Sequence, residues 1–437
     1  MDRAALKPQL LAARDLARQG RPADAEAAFA AVLSQWPDSV EAAIPLARLA
    51  AQRGDAARAE AVLTATRRAQ PAHEMLAVEL AVLLAGAGDL AAAIATLQDL
   101  VARQAQAPFG WLLLGQMLED RGDAKAALLA RYEAIRRAQA AGEWTAPATT
   151  PPHLHVQVAS ALSALRQHRR DVFQGLIEPL RQAHGSAALQ RVDRALAAYL
   201  GDWPARPADP MQKPLFFYMP DLPTLPYLDP YRHDWAPRLA GAFNEIRAEA
   251  LSLVMDEHPL EDFVKVRDGD TIGNYLGGLK PSWEAFFFYR HGQRYDDNHA
   301  RCPRTSAVLD SLDLCRIPGQ TPEILFSVLA PGTHILPHHG VTNTRCVMHL
   351  PLVVPEDCAL HLVDRGVHHW REGELVMFDD TFLHESWNRS GSVRIIVLMD
   401  CWNPDLTRVE RDAVTRIAQA IGALDIALQT DAWQGIA

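Results

Sequence analysis

The chain has 437 residues, of which 49% are hydrophobic and 22% charged, as in a globular protein long enough for two or three domains. Its formal net charge of −10 argues against a general nucleic-acid-binding function. The five cysteines are scattered without a CxxC pair, which favours a reducing compartment over a disulfide framework. No apolar run is long enough to span a membrane, and the first nine residues lack the apolar core of a secretory signal. We therefore expect a cytoplasmic protein with neither a nucleic-acid nor a membrane partner.

Residues 1–141 are rich in alanine and contain an internal repeat. Glycines recur at every thirty-fourth position, and an alanine follows each of them five residues later; the glycines are Gly20, Gly54, Gly88 and Gly122. This period resembles the tetratricopeptide repeat, in which the glycine makes a turn and the small alanine lets paired helices approach closely. Stacked units would bury a continuous core and present a concave groove. The array is predicted either to recruit a protein or peptide partner or to serve as a structural spacer.

Proline-rich segments follow the array. Residues 142–153 hold three prolines, residues 154–200 return to helical periodicity, and residues 202–214 hold four more prolines. We predict a helical cap with Pro-rich linkers over 142–214. A catalytic domain is then predicted over 215–405, and a C-terminal helix over 406–437.

The pattern of the predicted catalytic domain changes along its length. A Pro- and aromatic-rich opening leads to a predicted helix over 236–255. Beyond it, short β-branched runs are broken by Gly, Pro, Asn and Asp, which is typical of compact antiparallel β structure. Strands are predicted over 283–289, 324–329, 345–354, 359–363, 375–378 and 393–401. The fold class is therefore α+β and multidomain.

Residues suited to redox metal chemistry lie within this strand-rich region. Two imidazoles, His338 and His384, can hold a divalent metal and leave coordination positions open if the sheet folds over to bring them together. Arg394 lies in an apolar strand, where an unpaired charge would be costly. It therefore predicts an anionic partner, held by a charge-assisted pair.

Several motifs in this region together resemble the aspartyl/asparaginyl β-hydroxylases. They are Pro-Gly-Thr-His with Pro-His-x-Gly (331–340), Thr-Asn-x-Arg (342–345), Met-His-Leu (348–350), Phe-Asp-Asp-x-Phe-x-His-Glu (378–385) and Asp-x-Trp-x-Pro (400–404). The resemblance implies an Fe(II)- and 2-oxoglutarate-dependent dioxygenase on a double-stranded β-helix, a jelly-roll or cupin-like fold. Such an enzyme uses O2 to hydroxylate an unactivated carbon.

The resemblance also implies roles for individual residues. It makes His338 and His384 the iron ligands, and it forms the 2-oxoglutarate site from Arg394, Ser327 and His349. Gly340 stands where the wider class of non-haem iron oxygenases has a carboxylate ligand, and the β-hydroxylases share this glycine. Water held by Asp380 is the expected completion of the site, although Asp379 and Asp380 could equally cap a turn. His334 or His339 would replace His338 only if the register were shifted.

The substrate is less defined by the sequence. In animal β-hydroxylases, basic residues at the positions of Leu325 and Val347 help to hold an acidic side chain; here both residues are apolar, while Arg345 remains as a predicted substrate contact. We predict hydroxylation of a peptide or protein side chain, as in peptidyl-aspartic acid hydroxylation, with a small-molecule or acyl substrate as the alternative. An inactive interaction scaffold with a degenerate β-helix domain is the main rival. A metal-dependent hydrolase that uses the same histidine pair is a weaker one.

Overall fold

The computed structural model describes four ranges of the chain, namely residues 5–256, 259–263, 276–278 and 281–430. The chain divides into two compact units, Met1–Arg169 and Arg170–Ala437. The predicted boundaries after residues 141 and 214 do not coincide with this division. The last seven residues of the predicted C-terminal helix, 431–437, lie outside the described residues.

The first unit is built from antiparallel helix pairs. Its first eight helices are α1 (Leu6–Arg18), α2 (Pro22–Gln35), α3 (Val40–Gln52), α4 (Ala56–Ala69), α5 (Glu74–Gly86), α6 (Leu90–Arg103), α7 (Pro108–Asp120) and α8 (Ala124–Ala140). The repeating glycines lie between the two helices of each pair with φ from 72° to 88°, a region that favours glycine. The alanines five residues later are at most 1% exposed, at the contact between paired helices. The predicted tetratricopeptide-like helical solenoid is therefore confirmed.

Helical structure continues into the second unit. Helix α9 spans His155–His184 and helix α10 spans Gln190–Tyr199. Phe173 and Ile177 of α9 are buried in one cluster with Leu196 and with Ile417 near the C-terminus. The division of the chain therefore falls within the segment predicted as a cap, because apolar residues distant in sequence pack together there.

Five helices and thirteen strands complete the described part of the second unit. The helices are α11 (Ala236–Gly241), α12 (Phe243–Met255), α13 (Asp296–Arg301), α14 (Pro303–Asp310) and α15 (Arg408–Thr430). The strands are β1 (Tyr227–Leu228), β2 (Glu261–Asp262), β3 (Leu276–Gly277), β4 (Trp283–Arg290), β5 (Gln293–Arg294), β6 (Ile324–Leu329), β7 (Thr333–His338), β8 (Arg345–Val353), β9 (Cys358–Leu362), β10 (Gly366–His368), β11 (Val376–Phe378), β12 (His384–Asn388) and β13 (Arg394–Trp402).

The strands form two antiparallel sheets. The larger sheet has the order β1-β11-β8-β13-β6-β4-β2, with β5 paired to β4, and the smaller has the order β10-β9-β12-β7-β3. Of the smaller sheet, only β9 was predicted. The short strands β3 and β10 were missed, and so were β7 and β12, because Pro337 and the polar sequence His-Glu-Ser-Trp-Asn hide their extended character. The predicted helix over 236–255 is interrupted at Ala242 and forms α11 and α12. The strand-rich antiparallel domain is confirmed.

The larger sheet uses its two faces differently. Alternate residues such as Phe326, Met348 and Val397 pack into a core shared with Ile246 and Leu253 of α12. Their neighbours point to the opposite face and line a cavity, together with residues of the smaller sheet; these neighbours include Ser327, Val347, His349, Ile396 and Leu398. Because side chains alternate along a strand, the same strands build both the hydrophobic core and the cavity wall.

Among the helices of the described residues, none is both long enough and apolar enough to cross a membrane.

Candidate functional site

The two predicted ligand histidines face each other on neighbouring strands. His338 ends β7 and His384 begins β12, where the two residues are register partners, and their ring centroids lie 4.1 Å apart. The Nδ1 atom of His338 lies 2.8 Å from the carbonyl oxygen of Leu336, and that of His384 lies 2.9 Å from the carbonyl oxygen of Phe382. A carbonyl can only accept, so each Nδ1 carries the proton and each Nε2 carries a lone pair. This tautomer is the one in which Nε2 can bind a metal.

Burial keeps both imidazoles in the neutral form that metal binding requires. It lowers the pKa of His384 to about 3, with the neighbouring His338 as a smaller cause. The pKa of His338 is lowered by burial as well. Across the described ranges, no group of three or more His, Cys, Asp or Glu side chains is arranged to hold a metal. A metal bound here would therefore rely on two protein ligands and on smaller molecules.

A carboxylate occupies the space beside the histidine pair where a third side chain would stand. Gly340 follows His338 by two residues, and a Cβ atom built on it would overlap the Asp380 carboxylate. The Gly340 amide donates to the backbone oxygen of Asp380 at 2.6 Å. The Oδ1 atom of Asp380 is buried and has no hydrogen-bond partner among the described residues, and burial raises the pKa of Asp380 to about 7.

The adjacent aspartate plays a different structural part. Asp379 accepts hydrogen bonds from the Thr381 amide at 2.9 Å and from Nε2 of Gln212 at 2.7 Å. Asp379 therefore caps the turn, whereas Asp380 lines the cavity. The turn-capping alternative thus applies to Asp379, while a water held by Asp380 stays a prediction.

Arg394 forms the opposite end of the cavity. Its side chain is 1% exposed, and its Nη1 atom donates to Oγ of Ser327 at 3.3 Å. That hydroxyl also accepts from Nε1 of Trp283 at 2.9 Å, and the guanidinium carbon lies 5.2 Å from the centroid of the Trp370 ring. Burial lowers the pKa of Arg394 to about 10, and no carboxylate of the described chain pairs with the guanidinium. A buried cation in this state calls for an anion from outside the described residues.

His349 lies beside Arg394 and is also short of partners. The residue is 4% exposed, and neither ring nitrogen has a hydrogen-bond partner within the described ranges. Burial lowers its pKa well below the ordinary value, and the nearby Arg394 adds to the effect. Buried polar atoms are nearly always hydrogen-bonded in native proteins, so this imidazole is suited to contact a bound molecule.

The structure brings every predicted site residue to one cavity of about 210 Å³, namely Ser327, His338, Arg345, His349, Asp380, His384 and Arg394. The two alternative ligands lie elsewhere. His339 bonds through Nδ1 to the carbonyl oxygen of Thr381 at 2.8 Å. His334 contacts Glu385 at 2.6 Å, on the face of β12 opposite the cavity. The predicted pair is therefore the one that shares the cavity.

The predicted substrate arginine already has a partner within the protein. Nη1 of Arg345 donates to Oδ2 of Asp400 at 2.8 Å, and the same oxygen accepts from the Glu323 amide at 3.0 Å. Asp400 and Glu323 also line the cavity. Neither residue was predicted to have a role, although Asp400 begins the Asp-x-Trp-x-Pro motif.

Other residues around the site were also missed. Trp283 belongs to a run of aromatic residues and was predicted only as part of a strand. Glu385 is bonded on one side to His334 and on the other to His361, at 2.7 Å. These contacts link β7, β12 and β9 behind the two candidate ligands. The available signal in the sequence was that Glu385 directly follows His384, so that its side chain points to the other face of the strand.

The comparisons with known proteins agree with this geometry. Residues 241–404 match the family model described as Aspartyl/Asparaginyl beta-hydroxylase, and residues 16–78 and 78–143 match tetratricopeptide repeat models. Aspartate beta-hydroxylase domain-containing protein 2 of Rattus norvegicus is 32% identical over 235 residues, which are 53% of this chain and 64% of that protein.

Two further relatives carry different names. Aspartyl/asparaginyl beta-hydroxylase of Homo sapiens is 35% identical over 142 residues, which are 32% of this chain and 18% of that protein. Ornithine lipid ester-linked acyl 2-hydroxylase of Rhizobium tropici is 32% identical over 182 residues, covering 41% of this chain and 61% of that protein. The chain thus spans less than two thirds of the length of these relatives. The resemblance predicted from the motifs is confirmed: the chain carries a domain of the aspartyl/asparaginyl β-hydroxylase family, preceded by tetratricopeptide repeats.

Proposed function

We propose that this protein is an Fe(II)- and 2-oxoglutarate-dependent dioxygenase that hydroxylates an unactivated carbon of its substrate. Its catalytic domain would be a double-stranded β-helix. One observation carries the proposal. At one end of the cavity, a buried arginine has no carboxylate partner among the described residues. Nearby, two histidines have Nε2 lone pairs that are set for a metal. A dicarboxylate that binds both a metal and a cation suits this arrangement.

The residues present fit both groups. His338 and His384 would hold Fe(II), and the unpartnered Oδ1 of Asp380 would accept from a water that completes the coordination shell. Arg394 would pair with a carboxylate of 2-oxoglutarate, while Ser327 and His349 would hydrogen-bond to it. Bound iron and 2-oxoglutarate supply, with O2, the oxidising power for hydroxylation, and succinate and CO2 are released.

The chain itself contributes orientation and the exclusion of water. Trp283 donates to Oγ of Ser327, so the hydroxyl proton is directed away from the indole and can reach an anion on Arg394. The Trp370 ring lies over the guanidinium and shields it from solvent. Carbonyl oxygens hold the imidazole tautomers before any metal arrives, so little reorganisation is needed on binding.

The substrate in this proposal is a peptide or protein side chain. The repeats would recruit it, since a stacked helical array offers an extended surface for a protein partner. An acyl or other small-molecule substrate is the second candidate, because Val347 adds apolar surface to the cavity and one relative is named as an acyl hydroxylase. A cytoplasmic location stays a prediction from the sequence.

The test is a titration of 2-oxoglutarate into full-length protein under anaerobic conditions with Fe(II), followed by a succinate assay in air. We expect saturable binding and slow succinate formation without added substrate. Arg394→Gln should lose both, while Arg232→Gln, at a partly exposed pair with Asp405, should keep both. Metal binding without 2-oxoglutarate binding would favour the hydrolase, and binding of neither would favour the scaffold.

A further inference from the structure

The two ends of the cavity differ in charge. Within the part of the chain that the structure describes, the Arg394 end carries one cation and no carboxylate, and the proposed function assigns it to 2-oxoglutarate. At the other end, Arg345 faces three carboxylates, those of Glu323, Asp380 and Asp400, all of which line the same space. The described residues therefore place three acidic groups around one cation at this end. Burial raises the pKa of both Glu323 and Asp380 to about 7, and a cation bound beside them would favour their ionised forms.

Arg345 already has an acidic partner within the protein. Its guanidinium is committed to buried Asp400 at 2.8 Å, and Asp380 and Glu323 add to the negative field around it. An incoming carboxylate would have to displace Asp400 or share one cation with three existing carboxylates. Like charges placed together in a poorly hydrated site cost several kcal/mol.

Among the described residues, the other charged groups near this end do not restore the balance. Arg290 lies near Glu323 but is paired with Glu261 at 3.2 Å. The amide and ring of His291 contact Glu323 at 2.6 and 3.0 Å, and burial keeps the His291 pKa below its ordinary value. The imidazole therefore stays neutral near pH 7 and adds no positive charge.

An unsatisfied group marks where a ligand would bind. Oδ1 of Asp380 is buried, lacks a hydrogen-bond partner among the described residues, and lines the cavity. A carboxylate oxygen has two lone pairs, so this atom can accept from the water proposed at the metal and from one further donor. Apolar side chains of Val347 and Leu398 form the adjoining wall. Together these features match an aliphatic chain that ends in a hydrogen-bond donor.

From this geometry, and resting on the proposed function, we infer that the substrate site selects a positively charged group, an ammonium or a guanidinium on an aliphatic chain. It excludes the acidic side chain that the family name suggests. Arg345 and Asp400 act as the specificity-determining pair, because the Asp400 carboxylate neutralises the Arg345 guanidinium that would otherwise bind an anion.

The inference is tested by binding without turnover. Full-length protein is loaded with Fe(II) and 2-oxoglutarate without oxygen, and three probes of similar length are titrated by calorimetry: the Nα-acetyl amides of lysine, norleucine and glutamate. We expect the lysine probe to bind at least roughly tenfold more tightly than norleucine, and the glutamate probe more weakly than norleucine. Equal or tighter binding of the glutamate probe would overturn the inference.

The same preparation separates the two levels of the proposal. Failure of 2-oxoglutarate to bind would remove the proposed function, whereas normal 2-oxoglutarate binding with a preference for the glutamate probe would remove only the substrate inference. Failure of the lysine probe to bind more tightly than norleucine would also overturn the inference, since the charge excess would then have no ligand.

Two variants locate the preference. Asp400→Asn releases Arg345 and should invert the order of the lysine and glutamate probes. Glu323→Gln removes a carboxylate at a less buried position and should weaken the lysine probe by about three- to tenfold. The matched control is Asp405→Asn, a nearby carboxylate paired with Arg232 outside the cavity. An unchanged probe order in every variant that retains 2-oxoglutarate binding would contradict the assignment.

Discussion

The repeat array and the cavity of the β domain treat buried charge in opposite ways. In α8, the side chain of Glu133 is 3% exposed and pairs with both Arg136 and Arg137 at 2.7 Å. In the β domain, Arg394 is buried at least as deeply, but no carboxylate of the described chain pairs with it. A buried charge with partners in the protein contributes to the stability of the fold. A buried charge without a partner lowers the stability of the ligand-free protein, and it is retained where a bound ligand supplies the opposite charge.

The largest expected effect concerns the metal. His338→Ala or His384→Ala should abolish stable Fe(II) binding, because each removes half of the protein's candidate ligand set. Metal content after anaerobic loading and gel filtration measures this. His339→Ala is the control and should bind iron like the parent, since its Nδ1 contacts the Thr381 carbonyl instead. If His338→Ala and His384→Ala both retained iron at the cavity, the assignment of these two ligands would be wrong.

The next effect tests the unpaired cation directly. Arg394→Met should weaken 2-oxoglutarate binding by about 2–5 kcal/mol, the range for removing one side of a buried charge pair. The same variant without ligand should unfold at higher denaturant, with a gain of about 1–4 kcal/mol, because an apolar side chain replaces a desolvated charge. Calorimetry and urea unfolding provide the two measurements. A loss of stability in the ligand-free variant would show that Arg394 has a structural partner.

The repeat array should respond with the opposite sign. Glu133→Met should lower the free energy of unfolding by about 1–3 kcal/mol, because it leaves Arg136 and Arg137 without their shared acceptor. Urea unfolding followed by circular dichroism of the helices measures the change. Glu178→Met, at a surface pair with Arg181, serves as the control and should change little. If Glu133→Met were more stable than the parent, the expected difference in sign between the two regions would be contradicted.

The smallest effect concerns the repeat turn. Gly88→Ala should cost about 1 kcal/mol, because φ at this position is +88°, a region that L residues avoid. Gly86→Ala, two residues earlier within α5, has open space around its Cβ and should instead be neutral or stabilising by about 0.5–1 kcal/mol. Thermal unfolding of both variants gives the comparison. Equal shifts would mean that the turn tolerates side chains.

Much of the site could be predicted from the sequence, because the motifs carry residue types at fixed separations. All seven predicted residues line one cavity, although their roles stay proposals. The pairing of Arg345 with Asp400 could not be predicted, since it depends on the antiparallel register of β8 and β13, in which Asp400 lies opposite Val347. The strands that carry the two histidines were hidden by Pro337 and by polar residues.

The division of the chain escaped prediction for a similar reason. Helical periodicity over residues 154–200 reveals which residues are apolar but not what covers them. Phe173 and Ile177 are covered by Ile417, more than two hundred positions away. Local pattern determines the elements, while long-range packing determines which unit each element joins.

The two-faced strands of the larger sheet have a consequence for how this domain can change over evolutionary time. Val397 packs into the core while Ile396 and Leu398 line the cavity, so inserting or deleting one residue within β13 would exchange the two sets. The part of the strand on one side of the change would be reversed, which would carry Arg394 or Asp400 into the core unless a β-bulge absorbs the change, as at the register shift between Ile395 and Ile396. Length variation is therefore more costly in these strands than single substitution. New specificities can arise by point replacement along the cavity face, whereas insertions must be confined to the connections between strands.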